Sequence, residues 1–272
     1  MEASSRESLV QVRERLDEVS RRADGPALLA LADELFAVAR LLDGQLTLRR
    51  ALSDASGTAD ERAALVDRLF SSRISEAALD LVATVARQRW SHPVDLVEAI
   101  STMAVEASLD AADARGELDD VEDELFRFGR IVAGNQQLGR ILSDPTGSAE
   151  GKTALVDTLV ASRVSPVTEQ LLRNVLTGAH VGSAERTVER LSDVASRRRG
   201  RSVARVTSAV ELAPAQERRL SEVLGRIYGR TIGLQVTIDP TVLGGLVVQV
   251  GDDVIDGSIA HRLEAARRRL AG

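Results

Sequence analysis

The segment DELFAVARLLDGQLTLRRALSDASGTADERAALVDRLFSSRIS, residues 33–75, occurs twice in this chain. Its second copy, DELFRFGRIVAGNQQLGRILSDPTGSAEGKTALVDTLVASRVS at residues 123–165, aligns with the first without a gap at an offset of 90 residues. The shared motifs include Leu-Ser-Asp at 52–54 and 142–144 and Ala-Leu-Val-Asp at 64–67 and 154–157. Self-similarity at a fixed offset indicates a duplicated structural unit. We therefore predict that most of the chain before residue 200 is a duplicated helical module.

Each copy has the pattern of a string of short helices. Apolar residues recur at helical spacing, and glycine or proline separates the segments. In the second copy we predict helices at about 96–114, 117–133, 135–142, 149–161, 166–177 and 183–199. Hydrophobic residues make up 44% of the chain but aromatic residues only 2%, so the core must consist of Leu, Val, Ile and Ala. Short helices with short loops predict two tandem compact bundle modules, at 1–95 and 96–200.

The pattern changes after the basic run RRRGR at 197–201. The segment SVARVTSAVEL is rich in β-forming residues, and Pro214 is predicted to start a helix that continues to about Tyr228. Strands are predicted in TIGLQVTID, GGLVVQV and VID, and a final helix in DGSIAHRLEAARRRL, capped by Asp256 or Ser258. The fold class is therefore mainly α, with a small α+β domain at 201–272.

The stretch GSAEGKT, residues 147–153, ends like a phosphate-binding P-loop. A P-loop has four residues between its glycines, but only three separate Gly147 from Gly151, and Thr146 occupies the position of the first glycine. The first copy has GTADERA at the same place. Both copies keep a helix-capping hydroxyl residue there, Thr58 or Ser148. We interpret the stretch as a helix start followed by a solvated Lys152, and Thr58 with Glu61 as a capping box.

Composition limits the other function classes. The net charge of −6 gives no overall preference for nucleic acid, and the absence of cysteine excludes disulfides and thiolate metal sites. The N-terminus has no apolar signal core. The longest uncharged apolar run, 242–250, is much shorter than the roughly 20 residues of a membrane-spanning helix. We expect any membrane association to occur only through partners.

The C-terminal segment LGGLVVQVGDDVIDGSIAHRLEAARRRL resembles the signature of the δ subunit of bacterial F-type ATP synthase, whose mitochondrial relative is the oligomycin-sensitivity-conferring protein. Residues from about 96 to 272 span the usual length of that family. Residues 1–95 are an extra module, as in the long δ subunits of some actinobacteria. The residues that carry the resemblance are Asp239, Pro240, Gly244, Gly245, Gly251, Asp252, Asp256, Gly257, Ser258, Arg262 and Leu263.

The resemblance implies a stator subunit without a catalytic residue or a cofactor. In the family, a six-helix N-terminal bundle binds the N-terminal helix of an α subunit, and the C-terminal domain contacts the b-type peripheral stalk. The subunit thereby holds the catalytic head still while hydrogen-ion transport drives ATP synthesis. We expect the chain to act at the cytoplasmic face of the bacterial cell membrane, as a peripheral part of the synthase.

One helix of the second module carries a stripe of small residues, formed by Ala104, Ala107, Ser108 and Ala111. Small side chains allow close approach of another helix, so the stripe is a candidate receptor for the α-subunit helix. It could equally pack inside its own bundle. The first copy places polar or charged residues such as Glu14 at the corresponding positions. The family's groove involves the first and fifth helices of the bundle, and here the fifth carries Gln170, Leu171, Asn174 and Val175.

Other interpretations are less well supported by the sequence. His92, His180 and His261 lack metal-ligand spacing, so no metal site is predicted. The acidic run at 110–124 is interpreted as a solvated helix face and an acidic first turn, and RRRGR as a helix end rather than a nucleic-acid site. Gly257-Ser258 has no matching base for a nucleophile. Two alternatives remain, a general helical protein–protein adaptor and a nucleotide-binding protein that would use 147–153.

Overall fold

The computed structural model describes residues 2–161, 163–178, 182–201, 203–228, 232–239, 244–250 and 253–257. Helices dominate the first two-thirds of the chain, and a small four-stranded sheet follows. The chain divides into two compact units, Met1–Ala195 and Ser196–Gly272. The prediction of a mainly α chain with a small α+β C-terminal part is confirmed.

In the described ranges, eleven helices precede the first strand: α1 (Ala3–Ser20), α2 (Gly25–Gly44), α3 (Leu46–Ser53), α4 (Ala59–Phe70), α5 (Glu76–Arg87), α6 (Pro93–Ala114), α7 (Leu118–Gly134), α8 (Gln136–Ser143), α9 (Ala149–Val160), α10 (Pro166–Leu176) and α11 (Ala184–Arg201). The helices predicted in the second copy agree with α6 to α11 to within about three residues at each end.

The duplication is visible in the order of the helices, and the two copies share one helix. At the offset of 90 residues, α3 and α4 coincide with α8 and α9, while α2 and α5 correspond to α7 and α10. The same offset places α1 on α6 and α6 on α11. Helix α6 is therefore both the sixth helix of the first copy and the first helix of the second.

A single buried apolar cluster runs through the helical unit, from Val12 in α1 to Ala195 in α11. Helix α6 lies inside it and contacts α1, α2, α3, α5, α7 and α10. The predicted division near residue 95 falls at the start of this helix. The first copy therefore shares its sixth helix with the second, and the buried apolar cluster continues across this predicted boundary.

The repeated motifs have matching roles in the two copies. The Glu side chain of each Asp-Glu-Leu-Phe motif accepts hydrogen bonds from the serine that caps the fifth helix, Glu34 from Ser75 and Glu124 from Ser165. The aspartate of each Leu-Ser-Asp motif accepts from the backbone N–H two residues ahead. The backbone bond lowers the pKa of the Asp54 carboxyl group, and the pKa of Asp144 is lowered first by a hydrogen bond from the Thr146 hydroxyl and then by the backbone bond. The repeat therefore preserves helix caps and turns.

The capping box at the start of α4 is confirmed. Thr58 Oγ1 accepts from the Glu61 N–H at 3.2 Å, and Glu61 Oε2 accepts from the Thr58 N–H at 2.8 Å. The second bond lowers the pKa of Glu61, since it favours the ionised carboxylate.

We expect Thr58→Ala to lower the free energy of unfolding by about 1 kcal/mol, because an N-terminal N–H of α4 loses its acceptor. Urea titration of both proteins measures the loss. A lowered carboxyl pKa contributes stability above the unfolded-state value and loses it as the pH falls through the folded value. If the variant also disturbs the Glu61 bond, the difference in the free energy of unfolding between the wild type and the variant will become smaller below about pH 4. An unchanged urea midpoint at pH 7 would contradict the capping role.

The second unit contains β1 (Val203–Ser208), α12 (Pro214–Tyr228), β2 (Gly233–Ile238), β3 (Leu246–Val250) and β4 (Asp253–Asp256). The strand order is β2-β1-β3-β4; β1 pairs in parallel with β2, and the other two pairings are antiparallel. Its separate core combines Ala204, Val206, Val248 and Val250 of the sheet with Leu224 of α12. The bounds of α12 agree with the helix predicted to begin at Pro214. The predicted final helix lies outside the described residues.

Candidate partner-binding surfaces

The stripe of small residues on α6 lies at the centre of the helical unit. Ala104, Ala107, Ser108 and Ala111 are each 0% exposed. Helix α2 packs along α6 more extensively than any other pair of elements in the described chain. At one end of this contact, a Cβ on Gly25 would lie 3.3 Å from the Ala111 carbonyl oxygen, so the two backbones approach closely there. Small residues do allow close helix approach here, and the helix that uses them is the chain's own α2.

Gln170 connects the stripe to α2. The Ser108 hydroxyl donates to Gln170 Oε1 at 2.9 Å, and Gln170 Nε2 donates to the Leu29 carbonyl of α2 at 2.9 Å. Each of these polar groups is thereby satisfied in a buried place, as burial requires. The structure brings together the α6 and α10 residues predicted to share a groove, with α2 against them.

Asn174 lies one turn further along α10. Its Nδ2 donates to the Gln170 carbonyl at 2.9 Å, and its Oδ1 accepts from the Arg40 guanidinium of α2. Leu171 is fully buried and Val175 is half-buried. An external helix could reach the stripe only if a neighbouring helix of the chain moved away from it.

The GSAEGKT stretch forms the start of α9. Ser148 Oγ accepts from the Gly151 N–H at 3.0 Å, as predicted for a helix cap. Helix α8, not a strand, precedes it. The predicted solvation of Lys152 is wrong, since its side chain is only 5% exposed. A Cβ on Gly147 would lie 3.4 Å from Lys152 Cε, so the lysine stem packs beneath the preceding turn instead of extending towards a ligand.

The repeat explains this burial, because Lys152 corresponds to Arg62 in the first copy. Arg62 is 6% exposed and donates to five carbonyl oxygens, two in the turn before α4 and three at the end of α5. A cation at a helix C-terminus is favoured by the helix dipole and by the unpaired carbonyls there. This role was not predicted from the sequence, although the cations at aligned positions, Arg62 and Lys152, were a visible signal.

The described signature residues shape the C-terminal sheet. Gly244 and Gly245 have φ angles of 73° and 85°, a conformation that favours glycine, and they lead into β3. The Asp239 N–H donates to the Ser208 carbonyl, and the Gly257 N–H to the Leu246 carbonyl, both at 2.8 Å. Asp256 ends β4. The remaining ones, Pro240, Gly251, Asp252, Ser258, Arg262 and Leu263, lie outside the described residues.

The other candidate residues do not form a metal site in the described ranges. No group of three or more His, Cys, Asp and Glu side chains is placed to hold a metal ion in that part of the chain. His92 Nδ1 lies 3.8 Å from Asp95 Oδ2, while His180 and His261 fall outside the described residues. Asp119 and Asp120 form the predicted acidic first turn of α7. None of the described helices is long and apolar enough to cross a membrane.

Comparison with known sequences determines the family. The sequence model of the ATP synthase delta (OSCP) subunit matches residues 100–270. The chain belongs to the ATP synthase delta (OSCP) subunit family. The resemblance of the C-terminal signature is therefore confirmed, and the matched region runs from α6 to near the end of the chain.

Full-length relatives carry the same name, ATP synthase subunit delta. The protein of Streptomyces avermitilis is 47% identical over 268 residues, 98% of each chain. The Streptomyces coelicolor protein is 46% identical, and the alignment covers 100% of this chain and 98% of that protein. The Thermobifida fusca protein is 42% identical, and the alignment covers 100% of both chains. These alignments include the first copy of the repeat, so the three relatives have the same long form as this chain.

Among solved structures, a chain from a cryo-EM structure of the Toxoplasma gondii mitochondrial ATP synthase hexamer also matches. The two chains are 17% identical, and the match covers 62% of this chain and 95% of the solved chain, with a TM-score of 0.33. This score is too low to establish a common fold.

Proposed function

We propose that the chain is the non-catalytic stator subunit that links the catalytic head of an F-type ATP synthase to its b-type peripheral stalk. The observation that carries the proposal is family membership along the full chain, with about 45% identity to relatives named ATP synthase subunit delta. A helical unit and a separate small α+β unit provide two bodies for two partners. The proposed partners are the N-terminal helix of an α subunit and the b-type subunits, which place the chain peripherally at the cytoplasmic face of the membrane.

The α-subunit contact is proposed for the helical unit. The stripe on α6 is buried inside the helical unit, so a helix docked without displacing the chain's own helices would contact the outer sides of this unit instead. Asn174 and Val175 on α10 keep part of their surface open. The absence of a catalytic role follows from the family and is likewise a proposal.

Co-purification tests the proposal. The tagged full-length chain, expressed in its own bacterium and isolated from detergent-solubilised membranes, should retain both the α and b-type subunits through gel filtration. Capture of neither subunit would refute the stator function and would favour a general helical adaptor.

We expect removal of Ser196–Gly272 to abolish binding to the b-type stalk while the remaining helical unit still folds. The core of this unit contains no described residue beyond Ala195, and the sheet has its own apolar cluster. Circular dichroism and thermal melting check the fold, and pulldown with purified b-type subunits checks the contact. A truncated chain that still bridges head and stalk would show that the stalk site lies among the helices.

A further inference from the structure

A groove separates α4 from α5 on the surface of the first copy. Its volume is about 510 Å³, and its apolar lining consists of alanines and one leucine from the two helices. Asp60, Asp67, Glu76 and Asp80 line it together with a single basic residue, Arg87. The complete lining is Asp60, Ala63, Ala64, Asp67, Glu76, Leu79, Asp80, Ala83 and Arg87.

The corresponding place in the second copy, between α9 and α10, is spanned by an arginine of the chain itself. Arg173 of α10 pairs with Asp157 of α9 and, at 2.6 Å, with Glu169. The hydrogen bond to Asp157 raises the pKa of Arg173 above its ordinary value. Asp157 corresponds to Asp67 in the repeat, but the residue corresponding to Arg173 is Ala83. The first copy thus keeps the carboxylate and lacks the cation that joins the two helices.

The carboxylates of the open groove are only partly neutralised. Among the described residues, Asp67 and Glu76 have no ion-pair partner. Arg15 of α1 pairs with Asp80 at 2.6 Å, and Arg87 lies 3.7 Å from the exposed Asp60. Excess carboxylates beside an apolar lining disfavour an anionic ligand such as nucleic acid or a lipid headgroup and favour a cationic one. The small lining residues allow a helix to approach closely.

We propose that the α4–α5 groove docks a basic amphipathic helix of a partner protein, whose arginine or lysine side chain binds Asp67 as Arg173 binds Asp157. Its apolar face covers Leu79 and Ala83, while its cations face Asp67 and Glu76. This surface is separate from the α6–α10 stripe and goes beyond the proposed stator function, since it adds a contact that only the first copy offers.

The test uses the full-length chain and a defined probe. The probe is a fluorescein-labelled, amidated 18-residue helix of Ala and Leu with Arg along one edge, and a peptide with Glu in place of Arg is the charge control. Fluorescence anisotropy should show saturable binding of the Arg peptide that weakens with salt, and none of the Glu peptide.

Ala83→Arg places the second copy's cation in the first and should weaken binding of the Arg peptide at least tenfold. Its melting temperature should stay level or rise, because the new side chain can pair with Asp67. Ala37→Arg, on the exposed side of α2, adds the same charge elsewhere and should leave the affinity within about twofold. Asp67→Asn should weaken binding roughly threefold to tenfold and reduce its salt dependence.

Equal affinity of the wild type, Ala83→Arg and Asp67→Asn proteins would overturn the proposal, as would absence of binding to the wild type.

Arg173→Ala adds an independent readout, because it should open the α9–α10 groove and create a second site for the Arg peptide. Rebinding of the wild-type chain to synthase stripped of this subunit is measured alongside. Failure there refutes the stator function, whereas the peptide titrations alone decide the groove.

Discussion

Ala107→Glu is expected to unfold the helical unit. Ala107 is 0% exposed on α6, the helix along which α2 packs most extensively, and a glutamate there would have to be accommodated among closely packed helices. Overpacking and the burial of an unpaired carboxylate together should cost roughly 4 kcal/mol or more. This is a large share of the stability of a typical domain. Urea denaturation followed by far-UV circular dichroism measures the loss.

Ala114→Glu is the matched control, since it makes the same change on an exposed position of the same helix. It should cost less than about 1 kcal/mol, mainly from a negative charge near the C-terminus of α6. If Ala107→Glu kept the wild-type stability, α2 could not cover the stripe in solution. If it also lost binding to the synthase head, the stripe would be supported as the α-subunit receptor.

Arg62→Ala is expected to have the second large effect. Its guanidinium donates to five carbonyl oxygens in the turn before α4 and at the end of α5, at 2.7–3.3 Å. Removing it leaves several partly buried acceptors without donors, which should cost roughly 3 kcal/mol or more. The free energy of unfolding from urea titration is the measurement, and a loss below about 1 kcal/mol would contradict the role.

The corresponding residue of the second copy separates a structural role from a phosphate-binding one. Lys152→Arg should keep stability to within about 1 kcal/mol, because the first copy already has an arginine at this position. A nucleotide ligand would raise the melting temperature of the wild-type protein, since a ligand of the native state stabilises it. We expect no such rise with ATP, and a concentration-dependent rise abolished in Lys152→Arg would restore the P-loop interpretation.

Much of the local structure could be predicted from the sequence because local chemistry determines it. Thr58 with Glu61 specifies a helix start, and Pro214 begins α12 as expected. The resemblance of the C-terminal segment to the δ family depended on closely spaced glycines and aspartates. Such a motif can be seen in a single sequence, without an alignment.

The interactions that were missed depend on long-range packing. Helical periodicity shows that α6 has a small-residue stripe, but it cannot say whether α2 or another protein covers Ala107. Lys152 was assigned to solvent because lysine is rarely buried. Its environment depends on packing that is distant in sequence, as the contacts of Arg62 with the end of α5 show. The sharing of α6 also escaped prediction, because only residues 33–75 and 123–165 align strongly.

That shared helix has a mechanical consequence. Two ordinary domains joined by a loop can bend at the loop, but here the last element of one repeat continues as the first element of the next. Duplication of the six-helix pattern therefore required only five added helices and introduced no hinge between the copies. A pull on α1 and an opposing pull on α10 would both be borne by α6, which each of them contacts. The helical unit, lengthened by the second copy, should therefore resist bending under load as one rigid body.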